Sequence, residues 1–357
     1  MKHTIKIITA ALLYFFPVYI TAQDKGPVTM SSGGVLKPLQ AIMDIRHYTL
    51  SLNVDIPQQS IDGFTEIDLI LSQPTDTLLF DLTKALLVNK ITVAGKQQRF
   101  YQQDDLIYII NDKGFAGRQK IKIAYSGKPP VAVNPPWRGG FSWKQDEKGN
   151  PWVAINCQME GGKIYFPCKD HPSDEPNEGA DLIITIPKNL TVAGPGLLQS
   201  VRSKKDKKTF HWKTNYTISN YCIVFNIGNY AVVSRPYTTI AGNTVPIDFY
   251  VLQEDKAHGE EILDLRERDC RILEKYFGEY PWVKEKIGIA QVPNPGMEHQ
   301  TMITYGQQTG KFSYVKVNGQ NYQPNVYHEF AHEWFANKVS NKDWAHMWIQ
   351  EGITTYA

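Results

Sequence analysis

The chain has 357 residues, enough for two or three domains with cores of their own. Its formal charge of +2 at neutral pH excludes the broad basic footprint of a nucleic-acid binder. With 42% hydrophobic and 21% charged residues, the composition is that of a folded protein and not of a disordered one.

Residues 1–22 read as a signal peptide. Lys2, His3 and Lys6 make a basic start, Ile7 to Ile20 is a largely apolar run, and Thr21-Ala22 supplies small residues before a cut that leaves Gln23 first. The run is short for a membrane span and contains Pro17. An uncleaved anchor is the competing reading. The expectation is therefore an exported protein, periplasmic or secreted, with no stable membrane insertion after cleavage. Export permits disulfides. Cys157, Cys168, Cys222 and Cys270 allow three pairings and sit at no metal-clip spacing. They read as buried free thiols, with one bridge permitted.

Residues 23–38 are rich in Gly, Ser and Lys and read as a flexible lead-in. From Asp44 the pattern alternates. Tyr48, Leu50, Leu52, Val54 and Ile56 form one apolar row, and Ile67, Leu69 and Leu71 another. Ile91 with Val93, Ile107 with Ile109, and Ile121, Ile123 and Tyr125 follow, separated by turn residues such as Asp62-Gly63 and Ala94-Gly95. Short strands at this spacing predict an all-β sandwich. Strand character continues at 183–186, 210–212, 222–227 and 231–233. Lys204, Lys205, Lys207 and Lys208 cluster between two strand candidates and read as a solvated hairpin tip rather than an anion site, since the chain as a whole is nearly neutral.

The organisation then shifts. Residues 246–252 read as a further strand and His258 to Phe277 as an amphipathic helix, with Ile262, Leu265, Ile272, Leu273 and Tyr276 on or near one face. Gly278-Glu279-Tyr280-Pro281 ends it. Ile287 to Val292 is a buried-type strand, a loop from Pro293 to His299 follows, and Met302 to Tyr305 reads as a short strand. The expected division is a β domain over 39–235 and the beginning of an α+β domain over 236–357.

The chemistry is concentrated near the end. His328-Glu329-x-x-His332 lies in an expected helix from Asn325 to Lys338, where positions four apart share one face. Two imidazoles so placed suit zinc, whose catalytic sites have three protein ligands and one open position for water. Glu351, eighteen residues beyond His332, is the candidate third ligand; Ser340 to Asp343 supplies the turn that would return the chain. Glu329, between the histidines, is the candidate general base. Glu298, in the loop after the buried strand, is a further carboxylate available to a substrate ammonium.

The chain resembles the zinc metallopeptidase family that contains aminopeptidase N and leukotriene hydrolase. The match runs from about Asp44 to Ala357. It rests on His328-Glu329-x-x-His332 with Glu351, on the setting His332-x-Trp334 and Trp348-x-x-Glu351-Gly352, and on two further segments. Pro295-Gly296-Met297-Glu298-His299 is similar to the family's Gly-x-Met-Glu-Asn loop; Met297 and Glu298 match, while Pro295 and His299 depart from it. Asn156-Cys157-Gln158 and Tyr165-Phe166-Pro167-Cys168 resemble a β-domain segment that contributes to the same site.

The resemblance implies a saddle-like β-sandwich N-terminal domain followed by the first part of a thermolysin-like catalytic domain. It implies one zinc ion on His328, His332 and Glu351, with Glu329 catalytic. Glu298 and Gln158 would bind the substrate amine, and Gly296, Met297 and His299 would complete the substrate-binding loop, the His299 imidazole donating where the family has asparagine. The implied activity is removal of N-terminal residues from peptides with a free amine. Two other readings are a leukotriene-hydrolase-like epoxide hydrolase and a zinc-bound inactive fragment that only binds peptides. The resemblance further implies a helical region and an oxyanion-stabilising tyrosine beyond Ala357, since Tyr356 is too close to Glu351 to serve.

Overall fold

The computed structural model describes residues 32–306 and 314–357. The expected signal peptide lies outside the described residues, as do residues 23–31 of the expected lead-in. The described part of that lead-in is held at several points and is not a free tether. The Ser32 N–H donates to the Met159 carbonyl at 3.2 Å, and the Ser32 hydroxyl to Asp170 at 3.3 Å. The Gly34 N–H donates to the Asp343 carboxylate at 2.6 Å, while the Gly34 carbonyl lies 2.9 Å from His171 Nε2. Gly33, at φ +79°, lies against Trp344 so closely that a Cβ would come within 2.6 Å of the ring. Composition reads this backbone as solvated, but groups of the folded chain satisfy it instead.

The first unit is built of three β sheets. The largest has eight strands in the order Leu197–Lys204, Lys207–Thr214, Ala180–Pro187, Met43–Asp55, Ser60–Leu71, Arg118–Gly127, Leu86–Val93 and Lys96–Gln97. All its pairings are antiparallel except that of Met43–Asp55 with Ala180–Pro187. The first strand shows how sequence sets the layers. Met43 and Ile45 are buried, and then the buried parity switches to Tyr48, Leu50, Leu52 and Val54. A register shift between Ile45 and His47 supplies the extra residue that turns the remainder of the strand over. A three-stranded sheet (Thr75–Asp81, Leu106–Phe115, Arg99–Gln103) and a four-stranded sheet (Thr191–Ala193, Asn226–Gly228, Pro151–Asn156, Gly140–Gln145) complete the unit. The lysine cluster is the exposed tip of an antiparallel hairpin in which Lys204 faces Lys207. The four cysteines are buried and free.

Residues 222–227 do not form the single expected strand. Asn220–Cys222 is a 3-10 turn, and only Asn226–Gly228 pairs in a sheet. The division between units also differs from expectation. Tyr230–Thr238 pairs along its whole length with Thr244–Leu252 and belongs to the second unit's sheet, so a boundary after residue 235 would fall inside a strand.

That second sheet runs Tyr230–Thr238, Thr244–Leu252, Ile287–Val292, Ile303–Gly306, with the last three strands parallel. Parallel neighbours need a crossover, and the helix Gly259–Phe277 supplies the first. Its buried face carries Ile262, Leu263, Leu265, Cys270 and Leu273, together with Arg266, Asp269 and Glu274. Ile272 and Tyr276, expected on that face, are exposed; polar groups occupy inward positions that the hydrophobic pattern gave to them. Ile287–Val292 is buried at every position, as its largely apolar character predicts, with the polar Gln291 hydrogen-bonded to Leu252 and Asp255. The apolar cores of the two units are contiguous: Tyr250, Leu252, Ala290, Val292, Met297, Met302 and Trp344 belong to the same buried cluster as the first unit's sheets. Among the described residues, no helix is long and apolar enough to cross a membrane.

Candidate functional site

The His-Glu-x-x-His segment lies on the helix Pro324–Ala331, which opens with proline in its first turn. Val326, Tyr327, Phe330 and Ala331 face the core, which directs His328 and Glu329 away from it. The helix is shorter than expected. After His332 the backbone passes through Phe335 (φ −123°, ψ 86°) and Ala336 (φ 154°, ψ −53°), neither of them helical. This break has a consequence for His332. The Phe335 carbonyl, turned out of the helical ladder, lies 2.9 Å from His332 Nδ1. A carbonyl only accepts, so Nδ1 carries the proton and Nε2 presents a lone pair.

Glu351 comes from the short π-helical turn Trp348–Gly352. His328 Nε2 and His332 Nε2 are 3.1 Å apart, and a Glu351 carboxylate oxygen lies 3.3 Å from the first and 3.7 Å from the second. Donors at about 2.0–2.1 Å from a tetrahedral zinc are separated by about 3.3 Å. The three atoms therefore match one face of such a site, and two nitrogens so close are relieved by a cation between them. Against the effect of burial, the neighbouring His328 and His332 imidazoles hold the Glu351 carboxyl below its ordinary range. The residues present fit a zinc ion.

Glu329 lies beside this group. Burial, with the charges of Glu298 and Glu351 added, pushes its carboxyl well above the ordinary carboxylate range. The neighbouring loop leaves the C-terminal end of Ile287–Val292 and doubles back along Ile303–Gly306, with the Thr304 N–H donating to the Met297 carbonyl at 2.8 Å. At Gly296 the loop passes so near that strand that a Cβ would meet the Thr304 carbonyl at 2.5 Å and the Glu329 Cγ at 3.3 Å. The loop is also clamped to the first unit: Asn294 Nδ2 donates to Ser142 at 3.1 Å and to Asn156 at 2.7 Å.

Glu298 is 3% exposed. Gln158 Nε2 donates to its Oε1 at 2.6 Å, and the Tyr221 hydroxyl donates to the same oxygen at 2.9 Å. The structure thus brings Gln158 and Glu298 together although 140 positions separate them. Met297 is buried, its carbonyl engaged within the loop. His299 departs from the expected substrate-facing position. It is 0% exposed, neither ring nitrogen has a hydrogen-bond partner, and burial drives its pKa down to about 3. The chain turns through Thr301 at φ 55°, and the imidazole is enclosed instead of presented to a substrate.

Two residues that sequence reasoning passed over organise the site from behind. Glu333 is buried and accepts four hydrogen bonds: Thr301 N–H at 2.9 Å and Tyr280 Oη at 3.3 Å on one oxygen, Trp282 Nε1 at 2.7 Å and Asn337 Nδ2 at 3.1 Å on the other. Burial pushes its carboxyl up to about 7 despite these bonds. Asn337 Nδ2 also donates to the Glu298 carbonyl at 2.7 Å, so the segment after the motif helix holds the loop that carries Glu298.

A cleft of about 720 Å³ opens beside Glu329. Trp152 of the first unit, Val292, Gly296, Tyr305, Val326 and Glu329 contribute to its wall, a size and lining suited to part of a peptide.

Comparison with known proteins identifies the family. Residues 45–222 match the Peptidase M1 N-terminal domain, and residues 263–357 match the Peptidase family M1 domain. Aminopeptidase M1-C of Oryza sativa is 24% identical over 336 residues, covering 87% of this chain and 36% of that protein. The puromycin-sensitive aminopeptidase of Caenorhabditis elegans is 26% identical over 331 residues, covering 87% and 34%. Leukotriene A-4 hydrolase of Xenopus laevis is 26% identical over 335 residues, covering 88% and 50%. The chain thus spans about a third to a half of the length of these relatives. In fold it is similar to an M1 zinc metallopeptidase of Deinococcus radiodurans solved with a Tyr-Ser-Ala substrate. That match has a TM-score of 0.72 at 22% identity, over 93% of this chain and 73% of that one.

Proposed function

The chain belongs to peptidase family M1, and on that premise we propose that it carries the metal and amine sites of a zinc-dependent aminopeptidase acting on peptides with a free N-terminus. The observation that supports this reading most is the convergence of one ligand atom each from His328, His332 and Glu351 within 4.8 Å of one another, beside Glu329. Those three residues would hold a single zinc ion, which when bound polarises the scissile carbonyl and activates the attacking water.

Glu329 takes a proton from that water onto its carboxylate and passes it to the departing amine. Glu298 receives the substrate α-ammonium, and Gln158 orients the Glu298 carboxylate. Gly296 lets the loop backbone lie against the motif helix, where an extended substrate would run along the cleft. The enclosed position of His299 removes it from this scheme. The composition of residues 1–22 supports an exported protein, to be tested by finding mature chains that begin at Gln23 outside the cytoplasm.

The decisive experiment uses the full-length protein with aminoacyl-fluorophore substrates. Glu329→Gln is expected to abolish turnover while zinc content stays at one per chain. Retained turnover would remove Glu329 as the general base. Equal cleavage of N-acetylated and free substrates would remove the amine site.

A further inference from the structure

Glu298 is nearly enclosed, and an enclosed carboxylate serves an ammonium only if its orientation and charge are fixed beforehand. Both protein hydrogen bonds to its side chain fall on Oε1, from Gln158 and from Tyr221. Among the described residues, Oε2 has no partner. From this geometry we infer that Tyr221 is a positioning residue of the amine site: its hydroxyl commits Oε1 to the protein and leaves Oε2 free for the substrate ammonium.

Tyr221 is held for this role from three sides. The 3-10 turn Asn220–Cys222 places it facing the loop of the second unit. The Cys157 thiol, next to Gln158, donates to the Tyr221 carbonyl at 3.5 Å, which ties the two donors to one backbone junction. Trp344 packs edge-on to the phenol ring at 5.6 Å between centroids. Trp344 itself lies in the stretch between His332 and Glu351, so the ring that aims Glu298 rests on the segment that delivers the third metal ligand. Burial, then the neighbouring Cys222 and Glu298, hold the phenol well above its ordinary value, so the hydroxyl is protonated and donates. A solvated tyrosine would not serve: a donor on a flexible ring loses most of its net worth to competition with water.

The inference rests on the aminopeptidase reading, and the test separates the two. The zinc-loaded full-length protein and its Tyr221→Phe variant are compared with two zinc-binding probes, leucine hydroxamate and its des-amino counterpart 4-methylpentanohydroxamic acid. The wild type is expected to bind the amine-bearing probe more tightly. Tyr221→Phe is expected to weaken that probe by about tenfold or more, as loss of a hydrogen bond to a charged group does, and to leave the des-amino probe unchanged. On an aminoacyl-fluorophore substrate, KM should rise by a similar factor with kcat altered less than about threefold, the mark of lost ground-state binding. Both probes are read on zinc-bound protein, so a fall in Tm alone does not produce the selective loss. If Tyr221→Phe weakens both probes equally, or neither, the positioning role is overturned while the aminopeptidase reading stands. If the wild type itself does not distinguish the probes, the amine site and this inference fall together.

Discussion

Replacing Glu333 by alanine tests how far the site depends on one buried carboxylate. Of its four donors, two have alternatives: the Tyr280 hydroxyl also reaches the Lys286 carbonyl at 2.9 Å, and Asn337 Nδ2 keeps the Glu298 carbonyl. Among the described residues, the Thr301 N–H and Trp282 Nε1–H have no other hydrogen-bond partner. Two buried donors left unsatisfied cost about 1–3 kcal/mol each, so Glu333→Ala should destabilise by roughly 2–6 kcal/mol. Relief from burying the carboxylate itself pulls the result toward the lower end of that range. At roughly 2–4 °C per kcal/mol for a large domain, the thermal midpoint should fall by about 5 °C or more. The assay is thermal unfolding of the zinc-loaded protein, with Trp282→Phe and the double variant completing a cycle. In the cycle the cost of the smaller ring cancels, and a coupling of about 1–3 kcal/mol is expected for groups in one network. Unchanged midpoints in Glu333→Ala, or strict additivity with Trp282→Phe, would refute the hub.

Three further outcomes are expected. Gly296→Ala places a methyl 2.5 Å from the Thr304 carbonyl and must push the loop off the strand; kcat/KM should fall about tenfold or more, since overpacking of this kind costs about 1–3 kcal/mol, and a fully active variant would contradict the close approach. Ala336→Gly should stabilise by about 1 kcal/mol, because φ 154° suits glycine and not alanine; urea midpoints measure this, and a loss of stability would count against the broken helix. Glu351→Ala should lower zinc affinity by more than about a hundredfold in chelator competition, exceeding the cost of losing a group that only supports a ligand; stoichiometric zinc at unchanged affinity would remove Glu351 from the ligand set.

Much of this was legible in the sequence because the signals are local. Period-two apolar rows from Tyr48 to Tyr125 and the largely apolar run Ile287 to Val292 became strands, and four-residue spacing set His328 and His332 on one face. What escaped was decided by contacts across the chain. Nothing local forbids a helix through Glu333-Trp334-Phe335-Ala336-Asn337; it breaks where Glu333 and Asn337 are drawn into the network around Trp282 and Glu298. In isolation Glu333 looks like a surface charge, and its signal is only the row of buried aromatics around it. His299 occupies an expected substrate-binding position in the loop motif, but a one-dimensional match carries no information on the turn at Thr301 that encloses it. Tyr221 lies just before the strand expected over 222–227, where no local pattern singles it out, and only the fold brings its hydroxyl to Glu298.

The contiguous core also constrains how such a protein can change over evolution. Because Tyr250, Val292, Met302 and Trp344 bury against the first unit, and because Gln158 and Tyr221 are supplied by that unit, the β layers are not a detachable module. A recombination event that spliced a foreign β unit in front of Tyr230 would have to match a hydrophobic seam and the donors to Glu298 at once. Drift on one side of the seam therefore selects compensating drift on the other. Under the proposed function, selectivity belongs to the pair of units together, and chimeras of diverged relatives joined at Tyr230 should lose solubility and selectivity in the same step.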